Sequence, residues 1–279
     1  MGANGTLRTL ALMIAYDGTD WAGIQRLNDR PTIGETLNTA LTTVLRHPVC
    51  MVAAGRTDAG VHALGQMISL RTDNPLPLEN LHRAVNRLLP ASIRVRRVDE
   101  REERFHARCS AINRRYWYLL QTARQPDPLR GRFCWQLDRA LDADKMQEAL
   151  LPLLGQHDFR AYCHGEVHPP RGSVRTIQRL RIRRRRALLV IDVQADAFLH
   201  HMVRLLVANV VRVGIGERPV DWPAELLESR DRHGAGKGAP ACGLFLMRIG
   251  YPPIHDCTSV REDTGEEYDE MLSGKAAGS

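Results

Sequence analysis

Gly55-Arg56-Thr57-Asp58-Ala59-Gly60-Val61-His62 joins two β-like runs, 49–54 and 66–72, and the reading of the whole chain turns on it. With glycines at both ends of its first six residues, the segment can take backbone angles closed to other residues and present Arg56 and Asp58 at a sheet edge. On local physics alone, a plain turn with an Asx hydrogen bond, which explains most Asp-x-Gly sequences, accounts for the segment better. The phosphate-cradling pattern G-x-x-x-x-G-K-[ST] is absent.

Outward from this loop the hydrophobic rhythm alternates strands and helices. Residues 7–16 read as a strand, and Thr32-Ile33-Gly34-Glu35 carries a capping-box signature that opens a helix with Leu37, Leu41, Val44 and Leu45 on its apolar face. Leu78, Leu81, Val85, Leu88 and Leu89 mark a second helix stopped by Pro90, followed by a strand near 92–98. The second half repeats the theme. A strand at 112–121 places Tyr116 and Tyr118 on one face by its period of two, and a helix over 142–154 is threatened in its last turn by Pro152. Strands at 174–183 and 187–195 flank Arg183–Arg186 as a hairpin would; a nearly all-apolar helix covers 199–213 and a last strand 243–251. The expected fold is α+β: two similar units with mostly antiparallel sheets, residues 7–108 and 109–251, flanking a central cleft. Residues 252–279 read as an acidic, flexible C-terminal tail.

The 279 residues, 43% hydrophobic and 25% charged, have an ordinary globular composition and suffice for a large core without staples. Charge is unevenly spread. From Pro252 onward seven acids face two bases, so the rest of a chain with net charge +7 carries +12. A basic body suits an anionic partner, nucleic acid above all, although charge alone does not separate such a protein from a basic one that binds nothing. The preference for arginine over lysine suits phosphate contacts and equally reflects a GC-rich genome. Six scattered cysteines with no C-x-x-C pair argue against a disulfide framework and a zinc site. No signal-peptide pattern is visible and the run Leu10–Tyr16 is too short to span a bilayer, so the expected location is the cytoplasm.

The extended stretch Ala54–Ala63 resembles the signature of the TruA family of tRNA pseudouridine synthases. Tyr16-Asp17-Gly18-Thr19, Phe105-His106-Ala107-Arg108, Arg115-Tyr116-Trp117-Tyr118, Phe198-Leu199-His200-His201-Met202-Val203-Arg204 and Ala239-Pro240-Ala241-Cys242-Gly243-Leu244 recur in that family's order and spacing. The resemblance covers roughly residues 7–251. It implies isomerisation of uridine to pseudouridine in the tRNA anticodon stem-loop, at positions 38–40, with neither cofactor nor metal, by a homodimer. Asp58 is then the nucleophile. The reaction breaks an N-glycosidic bond and joins the same base through carbon, work that suits a carboxylate as it does in retaining glycosidases.

By the same resemblance Arg204 pairs with Asp58, and physics gives a reason: a desolvated carboxylate tends to protonate unless a cation stands beside it. The alternative is an arginine snorkelling to the surface from an apolar helix. Tyr116 is implied to stack on an extruded uracil, with Leu244 as a wall or as ordinary strand core, and Tyr118 reads as core first. Arg56 is implied to fill the space vacated by the flipped base, or else to clamp a phosphate; Phe105 and His106 would shape the RNA path. His200-His201 and Cys163-His164 near His168 match no zinc spacing. Arg183–Arg186 fits a phosphate-contacting tip and a solvated hairpin tip alike. Two positions depart from the family pattern: Ile24 replaces an aromatic residue, and Tyr162 a phenylalanine. Competing readings are the same chemistry on another RNA or in C-nucleoside biosynthesis, a non-catalytic tRNA-binding chaperone, and a glycoside hydrolase, for which no second catalytic carboxylate is evident.

Overall fold

A computed structural model describes residues 6–253 except 28, 126, 166–171 and 186–187. The described strands form one mixed sheet in the order β4-β1-β3-β10-β5-β9-β8-β7, with β2 beside β3 and β6 beside β5. The elements are β1 (Arg8–Tyr16), α1 (Ile33–Leu45), β2 (Val52–Ala53), β3 (His62–Thr72), α2 (Leu78–Leu88), β4 (Ile93–Arg101), β5 (Asn113–Thr122), β6 (Trp135–Leu137), α3 (Ala143–Leu150), β7 (Gly155–Asp158), β8 (Val174–Arg185), β9 (Leu188–Ala195), α4 (Met202–Gly214), α5 (Trp222–Ser229) and β10 (Leu244–Gly250). The expected α+β architecture with mostly antiparallel pairing is what the chain adopts. The sheet of one half is continuous with that of the other, because β10 pairs parallel to β3 through Phe245–His62 and Leu246–Ala63 and antiparallel to β5.

Local chemistry explains most boundaries. Thr32 caps α1 by accepting from the backbone N–H of Glu35, half of the anticipated capping box. α3 gives way to a single 3-10 turn over Leu151–Leu153, because Pro152 has no N–H for the α ladder. α4 begins at Met202 rather than 199, since His201 sits in the left-handed region (φ 60°) and breaks the helical path before it. The short elements β6, β7 and α5 lack the length over which periodicity declares itself. Of the arginine-rich hairpin, β8 runs to Arg185 and β9 starts at Leu188; residues 186–187 lie outside the described residues, as do 1–5 and the acidic segment from 254 onward.

Leu10, Leu12 and Ile14 of β1 are fully buried with Leu37, Leu41 and Leu81 of α1 and α2. In the other half Tyr118, Ile191 and Val193 are buried in one core with Leu206, Val207 and Val210 of α4. Register places Tyr116 opposite Leu246 and Tyr118 opposite Leu244, so all four share one face of the sheet, as the alternation of β5 predicted. Both family departures sit in this interior. Ile24 is 4% exposed, and Tyr162 is fully buried with its hydroxyl donating to the carbonyl of Pro223 at 2.8 Å. Each is a packing residue.

Candidate active site

The loop between β2 and β3 is a turn in its main chain and free in its side chain. Val61 N–H donates to the Asp58 carbonyl at 3.2 Å, with Gly60 at φ 77°, the position in a type II turn that favours glycine. The Asp58 carboxylate is therefore not spent on an Asx bond; it reaches across to the first turn of α4. Two further glycines seat the loop. A Cβ on Gly18 would stand 2.0 Å from the Val61 carbonyl oxygen, and one on Gly23 (φ 93°) 2.5 Å from that of Thr57. Hydrogen bonds from Ile24 N–H to Thr57 O (3.3 Å), from Gly60 N–H to Trp21 O (3.3 Å) and between the Tyr16 and Thr57 hydroxyls (2.7 Å) close the contact. His62 is buried at the loop's end, accepting from Gly18 N–H at Nδ1 (3.0 Å), with Nε2 3.0 Å from the Arg132 carbonyl. That pairing fits a neutral ring donating through Nε2, and burial, the largest influence, lowers its pKa.

Around Asp58 lies a cavity of about 920 Å³. It brings together Asp58, Arg56, Tyr116, Arg204 and Leu244, five of the residues singled out from the sequence. Tyr116 is 8% exposed and meets Phe198 edge-on at 5.1 Å; Leu244, 6% exposed, is both cavity wall and strand core. Arg56 is exposed at the cavity. Phe105 and His106 do not line it: Phe105 packs against Tyr251 at 5.1 Å, while His106 Nδ1 accepts from the backbone of Arg108 and Cys109. From that motif it is Arg108 that faces the cavity.

Arg204 points inward rather than snorkelling. Its Nη1 lies 3.5 Å from Asp58 Oδ2 and its Nε donates to the Ala239 carbonyl at 2.7 Å. The guanidinium is thus divided, one arm on the carboxylate and one anchoring it to the chain before β10. Two partners of Asp58 were not foreseen in that role. His201 Nε2 is 3.1 Å from Oδ2 and His200 Nε2 is 3.6 Å from Oδ1. Their signal in the sequence was their place in the same motif as Arg204; helical spacing does not apply, because His201 precedes the helix in a left-handed conformation. Burial pushes the Asp58 pKa upward, but the hydrogen bond and charge of His201, with His200 and Arg204, outweigh it and hold the carboxyl below its ordinary value of 3.8.

Asp58 is the one acid among the described lining residues, against five arginines (Arg56, Arg108, Arg114, Arg175 and Arg204). Such a cleft attracts an anionic partner, and it offers no second carboxylate for the paired acid–base chemistry of a glycoside hydrolase. Asp58, His200 and His201 bring three potential metal-ligand atoms within 4.8 Å of one another. Arg204 Nη1 already stands 3.5 Å from the carboxylate and 3.3 Å from His201 Nε2, so this donor set is built around a guanidinium. No described helix is long and apolar enough to cross a membrane.

Comparison with known proteins supplies the class. Residues 12–109 and 149–252 match the family model described as tRNA pseudouridine synthase. Proteins named tRNA pseudouridine synthase A align along most of the chain. The one from Chloroflexus aurantiacus is 41% identical over 251 residues, covering 88% of this chain and 90% of its own. That from Pseudoalteromonas atlantica is 39% identical over 247 residues (87% and 92%), and that from Blochmanniella pennsylvanica 39% over 246 (88% and 94%). The chain belongs to the tRNA pseudouridine synthase family.

Proposed function

We propose that the protein isomerises uridine to pseudouridine in the anticodon stem-loop of tRNA, at positions 38–40, with Asp58 as nucleophile. The single observation that carries the reading is the carboxylate of Asp58, ionised and cation-flanked, as the one acid among the described residues lining a cavity large enough for an extruded nucleotide. A base inside a stem-loop is stacked, so the target must flip out before its glycosidic bond can be reached. Tyr116 then stacks on the flipped uracil and Leu244 closes the opposite wall, while Arg56 enters the vacated space. Arg204 holds the negative charge of Asp58 and keeps it a nucleophile in a partly desolvated site. Arg108, exposed at the cavity, contacts phosphate without regard to sequence, whereas Arg114 and Arg175 are buried with their guanidinium groups donating to backbone carbonyls.

The enzyme works in the cytoplasm as a homodimer, with residues 7–108 and 109–251 as its two units. An RNA chaperone has no use for an aligned Asp58–Arg204 pair beneath a buried tyrosine. The deciding experiment incubates the protein and its Asp58→Ala variant with unmodified tRNA transcripts and maps pseudouridine at each position. Product at 38–40 from the wild type and none from the variant is expected. Absence of product from the wild type, or its persistence in the variant, overturns the proposal.

A further inference from the structure

His201 occupies a conformation that few residues adopt and spends it on Asp58. Its φ of 60° lies in the left-handed region, where glycine or asparagine is the ordinary choice. It precedes the first turn of α4 yet makes no side-chain capping bond. Instead the ring turns toward the loop, stacked on His164 (centroids 4.9 Å apart, interplanar angle 24°) and beside His200 (4.1 Å). Nε2 comes to 3.1 Å from Asp58 Oδ2 and 3.3 Å from Arg204 Nη1. Backbone strain retained at such a point marks a side chain held for function.

We propose that His201 is a positioning residue for the nucleophile: its Nε2–H donates to Oδ2 of Asp58, fixes that oxygen together with Arg204, and leaves Oδ1 as the attacking oxygen. This inference rests on the reading of Asp58 as nucleophile. The proton on Nε2 matters for a second reason. A guanidinium only donates, so a bare Nε2 would accept from Arg204 Nη1 and draw it from the carboxylate. With the proton in place both groups serve Oδ2. Oδ1 then has His200 as its neighbour, at 3.6 Å and more than half exposed, a contact that substrate can displace. The charged and titratable groups facing this arrangement are Asp58 on the loop, His164 after the 3-10 turn Arg160–Tyr162, His200, Arg204 on α4 and Tyr116 on β5.

The test uses His201→Gly and His201→Asn in single-turnover assays on unmodified tRNA. Glycine relieves the φ of 60°, so its melting temperature should not fall through strain; asparagine tolerates that φ and retains an amide donor. Loss of a hydrogen bond to a charged group slows the chemical step between about tenfold and a hundredfold in His201→Gly, with tRNA affinity unchanged. His201→Asn should recover part of the rate. The acid limb of the rate profile moves to higher pH in His201→Gly, because a bond that favours the carboxylate is gone. Wild-type rate and an unshifted limb in a folded His201→Gly overturn the inference, and so does a rate loss explained wholly by weaker tRNA binding. If Asp58→Ala is inactive in the same assay, those outcomes leave the proposed function standing; if it is active, the nucleophile itself is wrongly assigned.

Discussion

Arg204 joins two parts of the chain far apart in sequence: Nη1 lies 3.5 Å from Oδ2 of Asp58 while Nε donates to the carbonyl of Ala239 at 2.7 Å. The second bond aims the first. A side chain tethered at Nε presents Nη1 to the carboxylate with little freedom, and the same tether holds the segment that leads into β10 and Leu244. Lysine keeps the charge but has one donor group on a flexible stem. Arg204→Lys is therefore expected to bind tRNA almost normally and to turn over roughly ten- to a hundredfold more slowly, the loss of a charge-assisted hydrogen bond. Single-turnover kinetics beside a filter-binding isotherm checks this; a wild-type rate would show that charge alone suffices.

The pH behaviour of Asp58 follows from the balance around it. Burial raises its pKa, and His201, His200 and Arg204 lower it by more, so the folded value lies below 3.8. The unfolded reference is about 3.9. A folded pKa below the unfolded one means that the group contributes stability fully present above about 3.9 and lost as pH falls through the folded value. Asp58 is then ionised throughout the neutral range. Carboxyl-carbon NMR titration, with Asp58→Asn to assign the signal, should place its midpoint below that of an ordinary aspartate. A midpoint above that of an ordinary aspartate would mean that desolvation wins.

Gly23 tests how tightly the loop must be seated. A methyl group there would stand 2.5 Å from the Thr57 carbonyl oxygen and 3.1 Å from the Asp58 carbonyl carbon, at a φ of 93° that strains any L side chain. Both neighbours are backbone, so the loop itself must move. Gly23→Ala should destabilise the fold by about 1 kcal/mol or more. Displacing the Asp58 carboxylate by about an ångström should cost roughly a hundredfold in rate. Thermal denaturation and turnover measured on one preparation separate the two effects, and a full rate at a lowered melting temperature would show that the loop tolerates displacement.

How much of this was legible in sequence depended on the range of the interaction that decides each feature. Strands β1 and β5 and helices α1, α2 and α4 announce themselves by period, and Thr32 by its cap, because those are local signals. Asp58, Tyr116, Arg204 and Leu244 could be named through the company of ordered motifs, yet nothing local brings them together. That depends on the parallel pairing of β10 with β3, a contact between residues 62–63 and 245–246 that no short-range pattern encodes. Arg108, Arg114 and Arg175 face the cavity without any distinguishing local context. His201 was passed over because a His-His pair suggests metal, and its left-handed backbone is invisible before the fold is known.

Tyr162 separates a departure in packing from a departure in function. The residue is fully buried, and its hydroxyl donates to the carbonyl of Pro223 in the first turn of α5 at 2.8 Å. It is absent from the cavity lining, so its hydroxyl serves the attachment of α5. Replacing it with phenylalanine preserves the ring but removes the hydrogen bond that ties it to the start of α5, a loss of about 0.5–1.5 kcal/mol. Tyr162→Phe is thus expected to melt earlier while modifying the same uridines at the same rate below its transition. Mapping pseudouridine in tRNA treated with each protein checks the second half. A changed set of modified positions would move Tyr162 from the core of the fold into the recognition of substrate, and would require α5 to transmit that change to the cavity.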